Sequence, residues 1–161
     1  MGLQEHWLWN EKPLEPGRGV IFDIDGVLAN AGGRQRFLET TPRDWMGFFD
    51  AAVEDPVIDE LARLLFLLDG SLQVILLTGR PLRIRDATIS WLKQHDLRWD
   101  MLIMRNSGDY AKAREFKQTT VEQLRNYGFT LELAFEDDRL NADMFEAEGV
   151  PCVYIHSGYY D

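Results

Sequence analysis

The chain has 161 residues, 45% hydrophobic and 27% charged, which suits one ordinary globular domain and hardly two. With 17 Lys and Arg against 27 Asp and Glu, the formal net charge is -10, which excludes a general basic surface for nucleic acid, so any polynucleotide would have to be met by a local basic pocket. No apolar run approaches the roughly 18 residues of a membrane span, the opening MGLQEHWLWNEKP has neither the basic nor the apolar region of a secretory signal, and the lone Cys152 excludes an internal disulfide and the Cys-rich zinc sites.

The expected location is therefore a reducing cytoplasm, with no membrane partner. Residues 1–18 read as an extended N-terminal arm, with Trp7 and Trp9 ahead of Pro13, Pro16 and Gly17. The arm packs its tryptophans against either the body of the domain or a second copy of the chain, the latter implying a homodimer. From residue 19 to 161 the chain reads as one domain. Gly19 to Asp23 is a short apolar run ending in a carboxylate. The segment 24–54, with Gly26, Gly32, Gly33 and Pro42 beside Trp45, Phe48 and Phe49, reads as a hairpin-like flap followed by a small helix.

Val57, Ile58, Leu61, Leu64, Leu65 and Leu68 recur with helical spacing, and Gly70 stops that helix. QVILLT, Gln73 to Thr78, is a second strand. Pro81 opens a helix whose face includes Ile84, Trp91 and Leu92. Asp100 to Arg105 is a third strand, Tyr110 to Tyr127 a helix closed by Gly128, and Thr130 to Glu136 a fourth strand. Leu140 to Glu148 is a short helix, and Cys152 to His156 a fifth strand. Near-continuous apolar strands alternating with helices predict an α/β fold of three layers. It is Rossmann-like, with a central parallel sheet of about five strands and helices on both faces.

In such sheets ligands sit beyond the carboxyl ends of the strands. There the sequence places Asp23-Ile24-Asp25-Gly26, then Thr78-Gly79-Arg80, then Arg105 with Gly108 and Asp109, then Glu136-Asp137-Asp138-Arg139. Clustered acids repel one another, and a divalent cation relieves that repulsion; carboxylate oxygens and waters suit Mg2+. Side chains two apart on an extended chain point the same way, so Asp23 could attack a phosphorus atom while Asp25 delivers a proton to the leaving oxygen. The Thr78 hydroxyl and the N–H groups around Gly79 suit a phosphoryl oxygen, or a cap on the following helix. Arg80 suits a phosphate or solvent. Lys117 could neutralise developing charge, or belong to an ordinary charged helix face with Lys112 and Arg114.

DxDGV after the first strand, LLTGR after the second, a later lysine, and EDD after the fourth together resemble the four motifs of the haloacid dehalogenase (HAD) superfamily, over about residues 19–157. The resemblance implies a HAD fold with a minimal cap or none. It implies Asp23 as nucleophile forming an aspartyl-phosphate, Asp25 as general acid and then base, and Thr78 and Lys117 holding the phosphoryl group. It also implies Mg2+ bound by Asp23, the Asp25 backbone carbonyl and an acid of the Asp137–Asp138 pair, with Asp138 favoured. Arg105, Gly108, Asp109 and Lys117 in that order, Asp137-Asp138-Arg139, and GVPCVYIHSG further resemble the 3′-phosphatase domain of phage-type polynucleotide kinases. That implies Arg80 and Arg105 gripping the substrate phosphate or its neighbour.

No G-x-x-x-x-G-K-[ST] occurs, so a kinase is expected, if at all, on a separate partner chain. The short gaps between motifs leave an open site, closed by the 24–54 insert, where Trp45, Phe48 and Phe49 either stack on a base or pack against the body. The expected function is a Mg2+-dependent phosphomonoesterase acting on a polynucleotide 3′-phosphate or a nucleotide. The alternatives are a small-metabolite phosphatase and, in another class, a non-catalytic binding module of the same fold. His6, His95 and His156 make no metal-ligand spacing, and Cys152 reads as a core thiol.

Overall fold

The apolar runs become the strands of one six-stranded sheet in the computed structural model, which describes residues 7–106 and 112–160. The strands are β1 (Trp7–Trp9), β2 (Arg18–Phe22), β3 (Gln73–Pro81), β4 (Met101–Arg105), β5 (Thr130–Glu136) and β6 (Cys152–Tyr154). Their spatial order is β1-β4-β3-β2-β5-β6. The last five are mutually parallel, and β1 runs antiparallel along the edge of β4. His6, Gly108 and Asp109 lie outside the described residues.

The sheet thus differs from the expected all-parallel one by a sixth, antiparallel edge strand made from the tryptophan arm. The reason is burial: alternate residues of β1 face opposite sides, so Trp7 and Trp9 pack with Phe129 and Tyr127 while Leu8 packs on the other face. Trp7 is buried inside its own domain, which removes the reason for giving the arm to a second copy.

Helices cover both faces, and strict alternation along each strand feeds two separate cores. Val20, Phe22, Val74, Leu76, Leu102 and Met104 point to one side, where α2 (Asp59–Leu67) supplies Leu65 and α3 (Arg85–Gln94) supplies Trp91 and Leu92. Ile21, Ile75, Leu77, Met101 and Ile103 point to the other, against Phe116, Val121 and Leu124 of α4 (Ala113–Tyr127) and Met144 and Phe145 of α5 (Arg139–Ala147). The carboxyl end of α2 is satisfied by Arg98, whose guanidinium donates to the carbonyls of Leu65, Leu68, Asp69 and Leu72. Cys152 is half-buried, and burial, with Glu136 and Glu146 nearby, pushes its thiol up to about 12.

The insert after β2 is not a hairpin. Ile24 accepts backbone bonds from Val27, Leu28 and Ala29, and single bridges join Asp25 to Ala29 and Ala29 to Val57. A 3-10 turn (Gly32–Leu38), the short helix α1 (Trp45–Asp50) and a second 3-10 turn (Ala51–Glu54) follow. Asp44 caps α1 by accepting from the Gly47 N–H. Too few extended residues separate these turns to form paired strands.

Candidate active site

The chain leaves β2 toward β3 and β4 on one side and returns to β5 and β6 on the other, so strand order reverses between β2 and β5. Phe22 pairs with Phe135, which places Asp23 beside Glu136 at the crevice that such a reversal opens. Asp23 is held there by its backbone N–H donating to the Phe135 carbonyl, and its Oδ1 accepts from the Ile24 N–H at 2.8 Å. A cavity of about 820 Å3 opens over this edge, walled by Asp23, Asp25, Thr78, Gly79, Arg80 and Lys117, with Arg105 and Trp45 further out.

Two charge clusters meet at the cavity floor. In the first, Lys117 on α4 is fully enclosed and places Nζ 2.8 Å from Glu136 Oε2 and 3.2 Å from Asp23 Oδ1. Asp23, Glu136 and Asp137 bring one carboxylate oxygen each within 4.8 Å of one another. Burial alone would depress the Lys117 ammonium, but Asp23 and Glu136 raise it above its ordinary value. Burial, and then the Glu136 charge, push Asp23 well above the usual carboxylate range, against the pull of Lys117. Burial would also raise Glu136, yet Lys117 holds it below its ordinary value. Asp137, whose two buried oxygens meet no hydrogen-bond donor at bonding distance among the described residues, is pushed up to about 7 by burial.

The second cluster surrounds Asp25. Arg80 donates from Nη2 to Asp25 Oδ1 at 2.6 Å and from Nε to both carboxylate oxygens, and its Nη1 reaches Thr88 Oγ1 at 3.2 Å. Arg34 donates from Nη2 to Asp25 Oδ1 at 2.7 Å and grips Asp55 with Nε and Nη2 at 2.8 and 2.6 Å. Burial would raise Asp25, but Arg80 and Arg34 outweigh it and hold this carboxyl below its ordinary value. Asp25 thus has two cationic partners, so deleting either arginine still leaves it the other.

Most residues singled out in the sequence come together here. Thr78 is buried, and its Oγ1 accepts from the Arg80 N–H at 3.1 Å, within the irregular end of β3 and not as a helix cap. Gly79 presents bare backbone to the cavity, with nothing within 4 Å of where a Cβ would stand. Arg80 is not in solvent: it is 1% exposed and committed to Asp25 and Thr88. Arg105 lies over the Phe116 ring at 5.6 Å and lines the cavity, and its buried Nε and Nη2 have no hydrogen-bond partner among the described residues.

Asp137 and Asp138 play different parts: Asp138 lines the cavity with Asp23 and Asp25. Asp138 Oδ1 accepts from the Leu140 N–H as the cap of α5, and Arg139 stacks on Tyr154 at 4.3 Å. Asp137 is the acid that turns back toward Asp23. The strand ends at Glu136, as the sequence predicts, so Glu136 and Asp137 lie beside Asp23 while Asp138 lines the cavity.

Sequence reasoning missed Arg34 and Asp55, and it placed Glu136 at the strand end without giving it a role. Glu136 was legible, as the last residue of a strand in register with Asp23. Arg34 was not, because nothing local separates it from exposed Arg36 two positions on. Of the insert aromatics, Phe48 is buried beneath the Arg34 guanidinium at 4.4 Å, while Trp45 stacks on Phe49 and stays 47% exposed at the cavity wall.

Chemically, the first cluster sets three carboxylates against one ammonium. The surplus negative charge and the two buried oxygens of Asp137 fit a hard divalent cation with oxygen ligands. No helix among the described residues is long and apolar enough to cross a membrane.

Residues 17–160 match the family described as the polynucleotide kinase PNKP phosphatase domain. Among solved structures, the chain is 25% identical to a chain in the structure of a Pnkp1/Rnl/Hen1 complex, with a TM-score of 0.73 over 92% of this chain and 48% of that one. A second structure, of the Pnkp1/Rnl/Hen1 RNA repair complex, aligns at 23% identity and a TM-score of 0.74, covering 95% and 47%. The chain thus spans about half the length of the Pnkp1-complex chains it matches. The fold alone is shared with a class C acid phosphatase from Bacillus anthracis with tungstate bound, at 14% identity and a TM-score of 0.62 over 91% of this chain and 69% of that one. The same holds for a HAD-superfamily hydrolase from Geobacter sulfurreducens, at 18% identity, a TM-score of 0.58, and 85% and 86% coverage. With its motif residues assembled at one crevice and the match running over nearly all of its length, the chain belongs to the family of polynucleotide kinase (PNKP) phosphatase domains, phosphoric monoester hydrolases of the HAD superfamily.

Proposed function

We propose that this domain is a Mg2+-dependent phosphomonoesterase that removes a terminal phosphate from a polynucleotide 3′ end or from a nucleotide. The observation that carries the reading is the pairing of Asp23, next to a buried ammonium and two further acids, with Asp25, held two residues away by two arginines. Asp23 is the nucleophile: its free carboxylate oxygen attacks phosphorus, the ester oxygen leaves, and an aspartyl-phosphate forms. Asp25 protonates the leaving oxygen and then takes a proton from the water that hydrolyses the acyl phosphate. The two arginines favour the ionised form that the second step needs, and the approach of a phosphate dianion raises the carboxyl toward the protonated form that the first step needs.

Lys117 keeps Asp23 aligned and offsets charge on the phosphoryl oxygens, and the backbone at Thr78 and Gly79 with Arg105 on the cavity wall supplies the remaining donors. Asp23 and Asp137, with the Asp25 backbone carbonyl, would hold Mg2+. When bound, the ion would screen the nucleophile from the incoming phosphate and stabilise charge developing on it. Arg43, Arg105 and Lys112 on the cavity wall, beside exposed Trp45, suit an anionic backbone and a base despite the acidic surface elsewhere. A separate kinase chain is the partner consistent with that role.

The test is phosphate release with and without Mg2+, beside Asp23→Asn, on a 3′-phosphorylated oligonucleotide, its 5′-phosphorylated twin, 3′- and 5′-mononucleotides and glycerol phosphate. The proposal expects the 3′-phosphorylated oligonucleotide to be preferred by about 100-fold, roughly 2.7 kcal/mol. Equal slow release from every substrate would replace it with a small-metabolite phosphatase. No Mg2+-dependent release from folded protein would leave a binding module of this fold.

A further inference from the structure

Asp55 lies outside the motifs and outside the cavity wall, yet it is nearly fully enclosed beside the second charge cluster. Its two oxygens take the Nε and Nη2 of Arg34 at 2.8 and 2.6 Å, and Arg80 Nη2 stands 3.7 Å away. The same Arg34 Nη2 that touches Asp55 also touches Asp25 at 2.7 Å. Arg34 is fixed on its remaining sides: Nη1 donates to the Phe48 carbonyl at 3.0 Å, and the guanidinium rests on the Phe48 ring. Asp55 is itself tied to the body of the domain, because its backbone carbonyl accepts from Trp91 Nε1 of α3 at 2.8 Å.

Two arginines and two carboxylates thus form a balanced buried square. Without Asp55 the square would carry a surplus positive charge, and the Arg34 fork would lose the partner that fixes its rotamer. Arg34 comes from the insert and Asp55 from the junction of the insert with α2, so their pair also fastens the insert to the helix layer. Neither side chain reaches the cavity, so neither can act on substrate except through Asp25.

We propose that Asp55 is a positioning residue for the reaction: through the Arg34 fork it sets where the Asp25 carboxylate points and therefore how well Asp25 transfers its proton. This rests on the reading of Asp25 as acid and base given above. A group that only orients the proton-transfer step affects kcat and spares KM.

The test compares Asp55→Leu, which removes both acceptors, with Asp55→Asn, which keeps one, and runs Asp25→Asn in parallel. All are assayed in the full chain on one phosphomonoester, with the folded fraction read by near-ultraviolet circular dichroism at the assay temperature. The expected result is a kcat per folded molecule lower by about 10–100-fold in Asp55→Leu, with KM within about twofold, and a smaller loss in Asp55→Asn. A purely structural role would lower the melting temperature and leave kcat per folded molecule unchanged, and that outcome overturns the inference. Should Asp55→Leu fail to fold, Asp55→Asn decides alone: a several-fold loss of kcat at constant KM supports the inference, and wild-type kcat overturns it. Wild-type kcat in Asp25→Asn would overturn the reading of Asp25 and this inference with it, whereas an inactive Asp25→Asn beside a fully active Asp55→Leu overturns only the inference.

Discussion

Replacing Gly26 by alanine should damage the acidic cluster without touching any acid. Gly26 sits at φ +84°, where an L side chain costs about 1–2 kcal/mol. A Cβ there would stand 2.0 Å from Asp137 Oδ2 and 2.6 Å from its Cγ. The carboxylate must retreat by more than an ångström to regain the 3.4 Å of ordinary contact, because the obstacle is a short side chain anchored at the end of β5. The conformational cost alone lowers the melting temperature by about 2–8 °C for a chain of this size. The larger effect falls on the cation: with Asp137 swung away from Asp23, the Mg2+ concentration for half-maximal phosphate release should rise at least about tenfold. Differential scanning fluorimetry and a Mg2+ titration of activity measure the two effects. Gly70→Ala is the control, since nothing lies within 4 Å of its Cβ position. An unchanged Mg2+ requirement in folded Gly26→Ala would refute the placement of Asp137 at the cation site.

Two further outcomes follow from the same geometry. Burial raises the Asp137 carboxyl to about 7, above its value in the unfolded chain, so in the metal-free protein this group's contribution to stability is full below about pH 4 and is lost as pH rises through 7. Mg2+ takes the place of that proton, so a fixed Mg2+ concentration should raise the melting temperature more at pH 8 than at pH 6, and an equal or reversed effect would count against Asp137 as ligand. Trp45→Ala should raise KM for a 3′-phosphorylated oligonucleotide relative to glycerol phosphate by about tenfold, since stacking contributes about 1–3 kcal/mol per base. A proportional change for both substrates would assign Trp45 to packing alone.

The strand and helix order was legible because burial on both faces writes continuous apolar runs, and the two cores divide those runs residue by residue, as with Val20 and Phe22 against Ile21. β1 was harder to see: three residues, Trp7 to Trp9, form too short a run to announce a strand, and only the exposed edge of β4 makes them one. At the site, Asp23, Asp25, Thr78 and Lys117 could be found because each lies at or just past the carboxyl end of a strand, or on a helix, at a spacing that phosphoryl chemistry explains. The parts of Asp137 and Asp138 were not legible, because adjacent acids at a strand end differ only in direction: Asp137 turns to Asp23 and Glu136, while Asp138 caps α5 with one oxygen and lines the cavity. Arg34 and Asp55 stand 21 residues apart in an irregular insert, so their pairing has no periodic trace in the sequence.

The central claim is that Asp23 carries the phosphoryl group. Acid quenching during turnover of a 3′-phosphorylated oligonucleotide with Mg2+, followed by peptide mass mapping, tests it directly. The account predicts an acid-stable, hydroxylamine-sensitive phosphoryl adduct on the peptide containing Asp23, absent in Asp23→Asn. Full turnover by Asp23→Asn, or an adduct on a residue other than Asp23, would contradict it.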